Sequence, residues 1–171
     1  MSPYKCQYNH RKTCCVKHRN SVGSVRTSFP IPISAEFFYF EIKIENGGKK
    51  FDIAIGLTQT DTRLNSMPGW KPFTIGYHGY NGKVYYESCG KEYGATFGTG
   101  DVVGCGIDLT SETVFFTKNG LSYGIAKQNL PQRQWYPTIG LHSKNEVVEI
   151  NFGQKPFVYE EFDDYGKEYL L

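Results

Sequence analysis

No apolar run in the 171 residues approaches the roughly 18 that a membrane-spanning helix needs. No signal-type leader is read at Met1, and no membrane partner is expected. The chain lacks any Asn-x-Ser/Thr acceptor. Its five cysteines (Cys6, Cys14, Cys15, Cys89 and Cys105) include no Cys-x-x-Cys pair. An odd count without that spacing argues against a disulfide framework and for a reducing compartment, cytoplasmic or nuclear. Acidic residues are missing from residues 1–26, which hold Lys5, Arg11, Lys12, Lys17, Arg19 and Arg26. The opposite bias closes the chain, with Glu160, Glu161, Asp163, Asp164 and Glu168. Both ends read as solvated segments. No aromatic RNA-binding pattern accompanies the basic arm, so no nucleic acid is expected as a partner.

What is abundant is glycine (19) and aromatic residues (12 Phe, 13 Tyr, 2 Trp), a composition of strands and tight turns. A chain of this length buries roughly 68–70% of its unfolded surface and holds a core without disulfide or metal. The organising stretch runs from Gly100 to Gly120. Val103, Cys105 and Ile107 alternate with residues that leave the other face nearly bare, including Gly104 and Gly106. Those glycines leave room for close packing. Val114 and Phe116 repeat the pattern, and Asn119-Gly120 is the residue pair of a type I′ turn.

Phe37 to Glu45 is the clearest strand, with Phe38, Phe40, Ile42 and Ile44 on one face. Phe51, Ile53, Ile55 and Leu57 follow after Gly47-Gly48 and are expected to pair with it as a hairpin. Thr58 to Pro72 has no period and reads as a long functional loop. Short strands are expected at Thr13–Lys17, Ser24–Thr27, Ile75–His78, Lys83–Ser88 and Leu121–Ala126. A second Asn-Gly turn is expected at Asn81-Gly82, and a glycine-rich connection at Gly90–Gly100. Pro137–Leu141 and Glu146–Phe152 are expected to form a last pair. Ten to thirteen strands and no convincing helix make an all-β fold, a sandwich of two antiparallel sheets.

Apparent catalytic motifs fail on context. Gly120-Leu121-Ser122-Tyr123-Gly124 matches a hydrolase elbow by letters, but it follows a hairpin turn and precedes a strand. Gly98 to Gly104 misses a dinucleotide fingerprint by one residue and leads into a strand rather than a helix. His78 and His142 have no adjacent carboxylate in sequence to make either a general base. Cys6, His10, Cys14, Cys15 and His18 carry zinc-ligand chemistry at a spacing that matches no familiar site. No enzyme activity, cofactor or metal is expected.

Several stretches now point one way. Gly100-Asp101-Val102-Val103-Gly104-Cys105-Gly106-Ile107-Asp108-Leu109, Phe115-Phe116-Thr117-Lys118-Asn119-Gly120, Tyr136-Pro137-Thr138-Ile139-Gly140-Leu141 and Asn151-Phe152-Gly153 resemble the signature of the SPRY domain. Ser24-Val25-Arg26-Thr27, Pro68-Gly69-Trp70, Gly76-Tyr77-His78-Gly79, Tyr93 to Phe97 and Gly153-Gln154-Lys155-Pro156-Phe157 resemble the Ran-binding-protein-M branch of that family. The resemblance covers roughly residues 21–158, with a basic segment before it (1–20) and an acidic tail after it (159–171). It implies a concanavalin-like jelly roll that binds short peptide segments of partner proteins. It further implies an adaptor or substrate-receptor role in a ubiquitin ligase or signalling scaffold. In that branch the domain continues into LisH and CTLH helical regions. Free-standing SPRY effectors secreted by plant parasites or symbionts are the alternative.

The resemblance also implies a binding surface of loops at one edge of the sandwich. The candidates in this chain are Arg26, Thr60, Met67, Trp70, His78, Tyr80, His142, Ser143, Lys144 and Asn145. Trp70 and Tyr80 are the expected anchors, because aromatic residues carry much interface energy. Arg26 offers a fork for a carboxylate or backbone carbonyl. Two internal readings stand beside these: Trp70 as a plug under its loop, and Arg26 in an ion pair. The isolated domain is expected to be a monomer.

Overall fold

A computed structural model describes residues 22–162 and the strand Thr13–Cys15. Twelve strands lie within these residues: β1 (Thr13–Cys15), β2 (Gly23–Arg26), β3 (Phe37–Asn46), β4 (Ile53–Thr58), β5 (Ile75–His78) and β6 (Lys83–Tyr86), followed by β7 (Cys89–Glu92), β8 (Val102–Asp108), β9 (Thr113–Lys118), β10 (Leu121–Lys127), β11 (Tyr136–Leu141) and β12 (Val147–Asn151). One 3-10 turn, Glu160–Phe162, is the only helical element among the described residues. The strands form two six-stranded antiparallel sheets, ordered β1-β12-β3-β8-β9-β10 and β2-β11-β4-β5-β6-β7.

The alternating pattern locates the core as the sequence implies. Phe40, Ile42, Ile44, Val103, Cys105, Ile107, Val114 and Phe116 of the first sheet face Ile53, Ile55, Leu57, Ile75, Tyr77, Ile139 and Leu141 of the second. All are essentially inaccessible to water. Fully burying one such aliphatic side chain contributes about 1.5–3 kcal/mol before entropy is charged.

Two expected pairings differ. β3 does not pair with β4; it pairs with β8 and β12, and β4 pairs with β5 and β11. Likewise β11 and β12 belong to different sheets. Each supposed hairpin is a crossing between layers. Period-2 alternation shows that a strand has an apolar face, but a lateral neighbour and a facing neighbour satisfy it equally. The Gly90–Gly100 connection likewise begins as a strand, β7, because Glu87 and Ser88 make a positive-φ turn (φ 50° and 69°) without glycine. Asn119-Gly120 makes the turn its letters predict (φ 50° and 80°). At Asn81-Gly82 only the glycine is left-handed, and the Gly82 N–H donates to the His78 carbonyl across a wider corner.

Both outer faces are partly covered. On the first sheet, Glu41 is buried and accepts bonds from the Tyr39 hydroxyl (2.9 Å) and the N–H groups of Val158 and Tyr159 (both 3.0 Å). Tyr159 and Phe157 pack there against Tyr39. On the second sheet, Ser24, Ala54, Gly56, Gly76 and Gly140 form a patch of small outward residues across β2, β11, β4 and β5. The long loop between β4 and β5 lies directly on it. A Cβ on Gly140 would meet the Met67 sulfur at 2.6 Å, and one on Gly76 would meet the Pro68 carbonyl oxygen at 2.3 Å. Gly76→Ala is therefore expected to cost about 2 kcal/mol through backbone displacement. Urea unfolding measures the loss, and Trp70 fluorescence reports the lifted loop.

An aromatic shelf at the end of the second sheet

Beyond the small patch, the same outward face carries large side chains. His78 ends β5, Tyr85 lies on β6, Asp52 precedes β4 and His142 follows β11. Trp70 descends on them from the loop. Its ring stacks on His78 (centroids 5.9 Å apart, 28° between planes) and meets His142 edge-on at 6.1 Å. Tyr85 packs against the other side of His78 at 4.5 Å, and Tyr80 meets it edge-on at 6.0 Å. The hydroxyls of Tyr80 and Tyr85 share a hydrogen bond of 3.0 Å, and Asn81 donates to Tyr85 at 3.0 Å. Trp70 is half-buried and Tyr80 is 43% exposed, so the shelf presents aromatic surface outward on a buried base.

The shelf is stiff because the loop is tied at each step. Trp70 N–H donates to the Met67 carbonyl (3.2 Å), and the Trp70 carbonyl accepts from the Ser88 hydroxyl (2.8 Å). Thr74 Oγ1 accepts from the N–H groups of Gly69 and Lys71 (3.0 and 3.2 Å). Gly69 takes φ +91°, and a Cβ there would strike the Tyr85 carbonyl oxygen at 2.5 Å, which explains Pro68-Gly69 before the tryptophan. The Pro68 carbonyl accepts from His78 Nε2 (2.9 Å), so the neutral ring carries its proton on Nε2. Nδ1 is buried with no hydrogen-bond partner among the described residues, and burial holds His78 down at about 4.

The 142–145 loop is shaped by a residue outside the candidate set. Glu146 is fully buried, and its Oε2 accepts from the N–H groups of His142 (2.8 Å) and Ser143 (2.9 Å). Its other oxygen has no hydrogen-bond partner among the described residues. Burial pushes its carboxyl up to about 7, against the pull of those two bonds. His142 Nδ1 lies 3.7 Å from Asp52 Oδ2.

The ten candidates do not form one surface. Trp70, Tyr80 and the loop from His142 to Asn145 come together at this end. Met67 and His78 lie buried beneath them, supporting the shelf rather than facing solvent. Arg26 pairs with Thr138 midway along β11 and Thr60 bonds Tyr136 at its start, roughly 13 and 20 Å from His142 by strand length. There Arg26 donates to the carbonyls of Gln59 and Thr62 and stacks on Tyr136, whose hydroxyl accepts from Thr60 (2.8 Å). Its fork thus serves backbone carbonyls of its own chain and makes no ion pair among the described residues. Of the zinc-type residues, Cys6, His10 and His18 lie outside the described residues. Tyr85, Asp52 and Glu146 were missed; for Tyr85 the signal was its alternation with the buried Val84.

A SPRY domain model matches residues 37–155. The chain belongs to the SPRY domain family. It is 46% identical over 154 residues to Ran-binding protein 9 of Xenopus laevis, covering 90% of this chain and 28% of that protein. Identity is 44% to the Ran-binding proteins 9/10 homolog of Drosophila melanogaster (89% and 16% covered) and 37% to the Ran-binding protein M homolog of Arabidopsis thaliana (94% and 34%). The chain thus spans a sixth to a third of these curated relatives. A crystal structure of a human SPRY domain superposes with a TM-score of 0.79 at 30% identity, covering 91% of this chain and all of that one. The SPRY domain of human HERC1 shares the fold (TM-score 0.74, 17% identity, 88% and 94% covered). Membership of this SPRY family supports a protein-interaction module.

The Glu146 carboxyl generates a pH test. Its folded value lies above its ordinary 4.5, so its contribution to stability is complete below that value and is lost as pH rises through about 7. His78 works oppositely: its contribution is present above 6.5 and is lost as pH falls through about 4. Glu146→Gln keeps an acceptor for the two N–H groups and removes the buried charge. Its stability should match the wild type near pH 5 and exceed it by on the order of 1 kcal/mol at pH 8, read from denaturant unfolding. A difference that does not grow with pH would contradict the burial of this charge.

Proposed function

We propose that this SPRY domain binds short segments of partner proteins, with Trp70 and Tyr80 as anchors and the His142–Asn145 loop supplying polar contacts. The observation that carries the proposal is the pinned Trp70 ring, half-exposed above a buried histidine and flanked by an exposed tyrosine. A rigid aromatic side chain gives large contact area at low entropic cost, and such residues dominate interface energetics. Loops held still on a sheet scaffold are a common platform for recognition. The role we assign is that of an adaptor or substrate receptor, in keeping with the likeness to Ran-binding proteins in which such a domain is one part of a longer chain.

A random twelve-residue peptide library displayed on phage and selected on the wild-type domain supplies the probes. Trp70→Ala and Tyr80→Ala are each expected to cost about 2 kcal/mol of affinity for the enriched peptides, measured by fluorescence anisotropy, with the thermal transition retained. Undiminished affinity in the folded double variant sinks this surface.

A further inference from the structure

Next to the aromatic shelf is a polar depression of about 700 Å³ lined by Lys49, Lys50, Asp52, His142, Lys144 and Asn145. It forms where two loops meet. Gly48 (φ +64°) lets the turn after β3 pack onto the loop after β11; a Cβ there would stand 3.1 Å from Glu146 Cγ and 3.2 Å from the Lys144 carbonyl oxygen. Lys49 and Lys50 arrive from one loop and Lys144 from the other, all exposed.

The charges here are not balanced locally. Lys43, Lys83, Lys118 and Lys155 each lie within 3.4 Å of a carboxylate oxygen. Lys49, Lys50 and Lys144 make no ion pair among the described residues. The nearby carboxylates are otherwise engaged: Glu146 is buried on two backbone N–H groups, Asp52 is largely buried beside His142, and Glu45 is paired with Lys43. His142 borders both features, lining the depression and touching the Trp70 ring. A peptide anchored on the shelf therefore places its neighbouring residues near three ammonium groups that have no ion-pair partner among the described residues.

We infer that the bound peptide is acidic, with aspartate or glutamate beside the aromatic or apolar residue that Trp70 and Tyr80 hold. This rests on the docking surface proposed above. Complementary charge suits that partner, since rim charges set association rate and choose between partners. A phosphodiester backbone fits less well: the lysines are confined to one depression containing Asp52, and net charge is only +2. A phosphate group usually meets an arginine fork, and no arginine lines the depression.

The same phage selection decides it. Enriched peptides should hold more Asp and Glu beside an aromatic or large apolar residue than the unselected library. Combined Lys49→Glu, Lys50→Glu and Lys144→Glu should weaken these peptides about tenfold or more, and raising salt from about 50 to 500 mM should weaken the wild-type complex. Neutral or basic peptides that depend on Trp70 but tolerate the charge reversal overturn the acidic partner and leave the shelf standing. Absence of any enriched peptide, or peptides indifferent to Trp70→Ala, overturns both. Tighter binding of a single-stranded oligonucleotide, or of a phosphoserine peptide over its glutamate counterpart, also overturns the acidic-peptide inference.

Discussion

Backbone resting on backbone is the constraint from which the functional end of this protein follows. The loop after β4 can lie flat on the second sheet only because Gly76 and Gly140 present no side chain beneath it. That contact sets the height of Met67 and Pro68, which sets the position of Trp70. A larger residue at Gly76 or Gly140 lifts the whole path, because interiors at this density do not absorb an extra methyl group without displacement. The shelf is thus specified by what the sheet omits as much as by the aromatic residues it displays.

Much of this architecture was legible from the chain alone, and the failures share a cause. Alternation identified the core-facing side chains of β3, β4, β8 and β12, since successive residues of a strand point to opposite faces and the large apolar ones share one of them. It is silent on which strand lies beside which, so it suggests a β3–β4 hairpin and a β11–β12 pair where the chain crosses between sheets. Asn119-Gly120 announced its turn by residue type, whereas Glu87-Ser88 adopts the same geometry with residues that carry no such signal. The family resemblance correctly implied a two-sheet sandwich. It did not reveal that Arg26 and Thr60 lie far from Trp70, since that separation comes from the diagonal course of one loop. Glu146 escaped notice because one acidic residue in a strand-and-loop pattern reads as solvated; only the folded chain shows two N–H groups converging on it.

The site also places ionisable groups where charge is costly. His78 and Glu146 support the shelf from below, each biased toward its neutral form by burial. Each holds a loop by bonding its backbone: His78 through the Pro68 carbonyl, Glu146 through the His142 and Ser143 amides. The two loops of the proposed docking surface are therefore fastened from below by buried polar groups as well as by the Ser88 contact above. Substitutions among the exposed residues can then change the surface without loosening the frame.

The Glu41 carboxylate, gripping the amides of Val158 and Tyr159, has a geometric consequence of its own. It draws the polypeptide across the first sheet, on the opposite side of the sandwich from Trp70. The Val158–Tyr159 segment and the proposed docking surface therefore lie on opposite sheets, so a ligand held at Trp70 and the chain gripped by Glu41 need not compete for room.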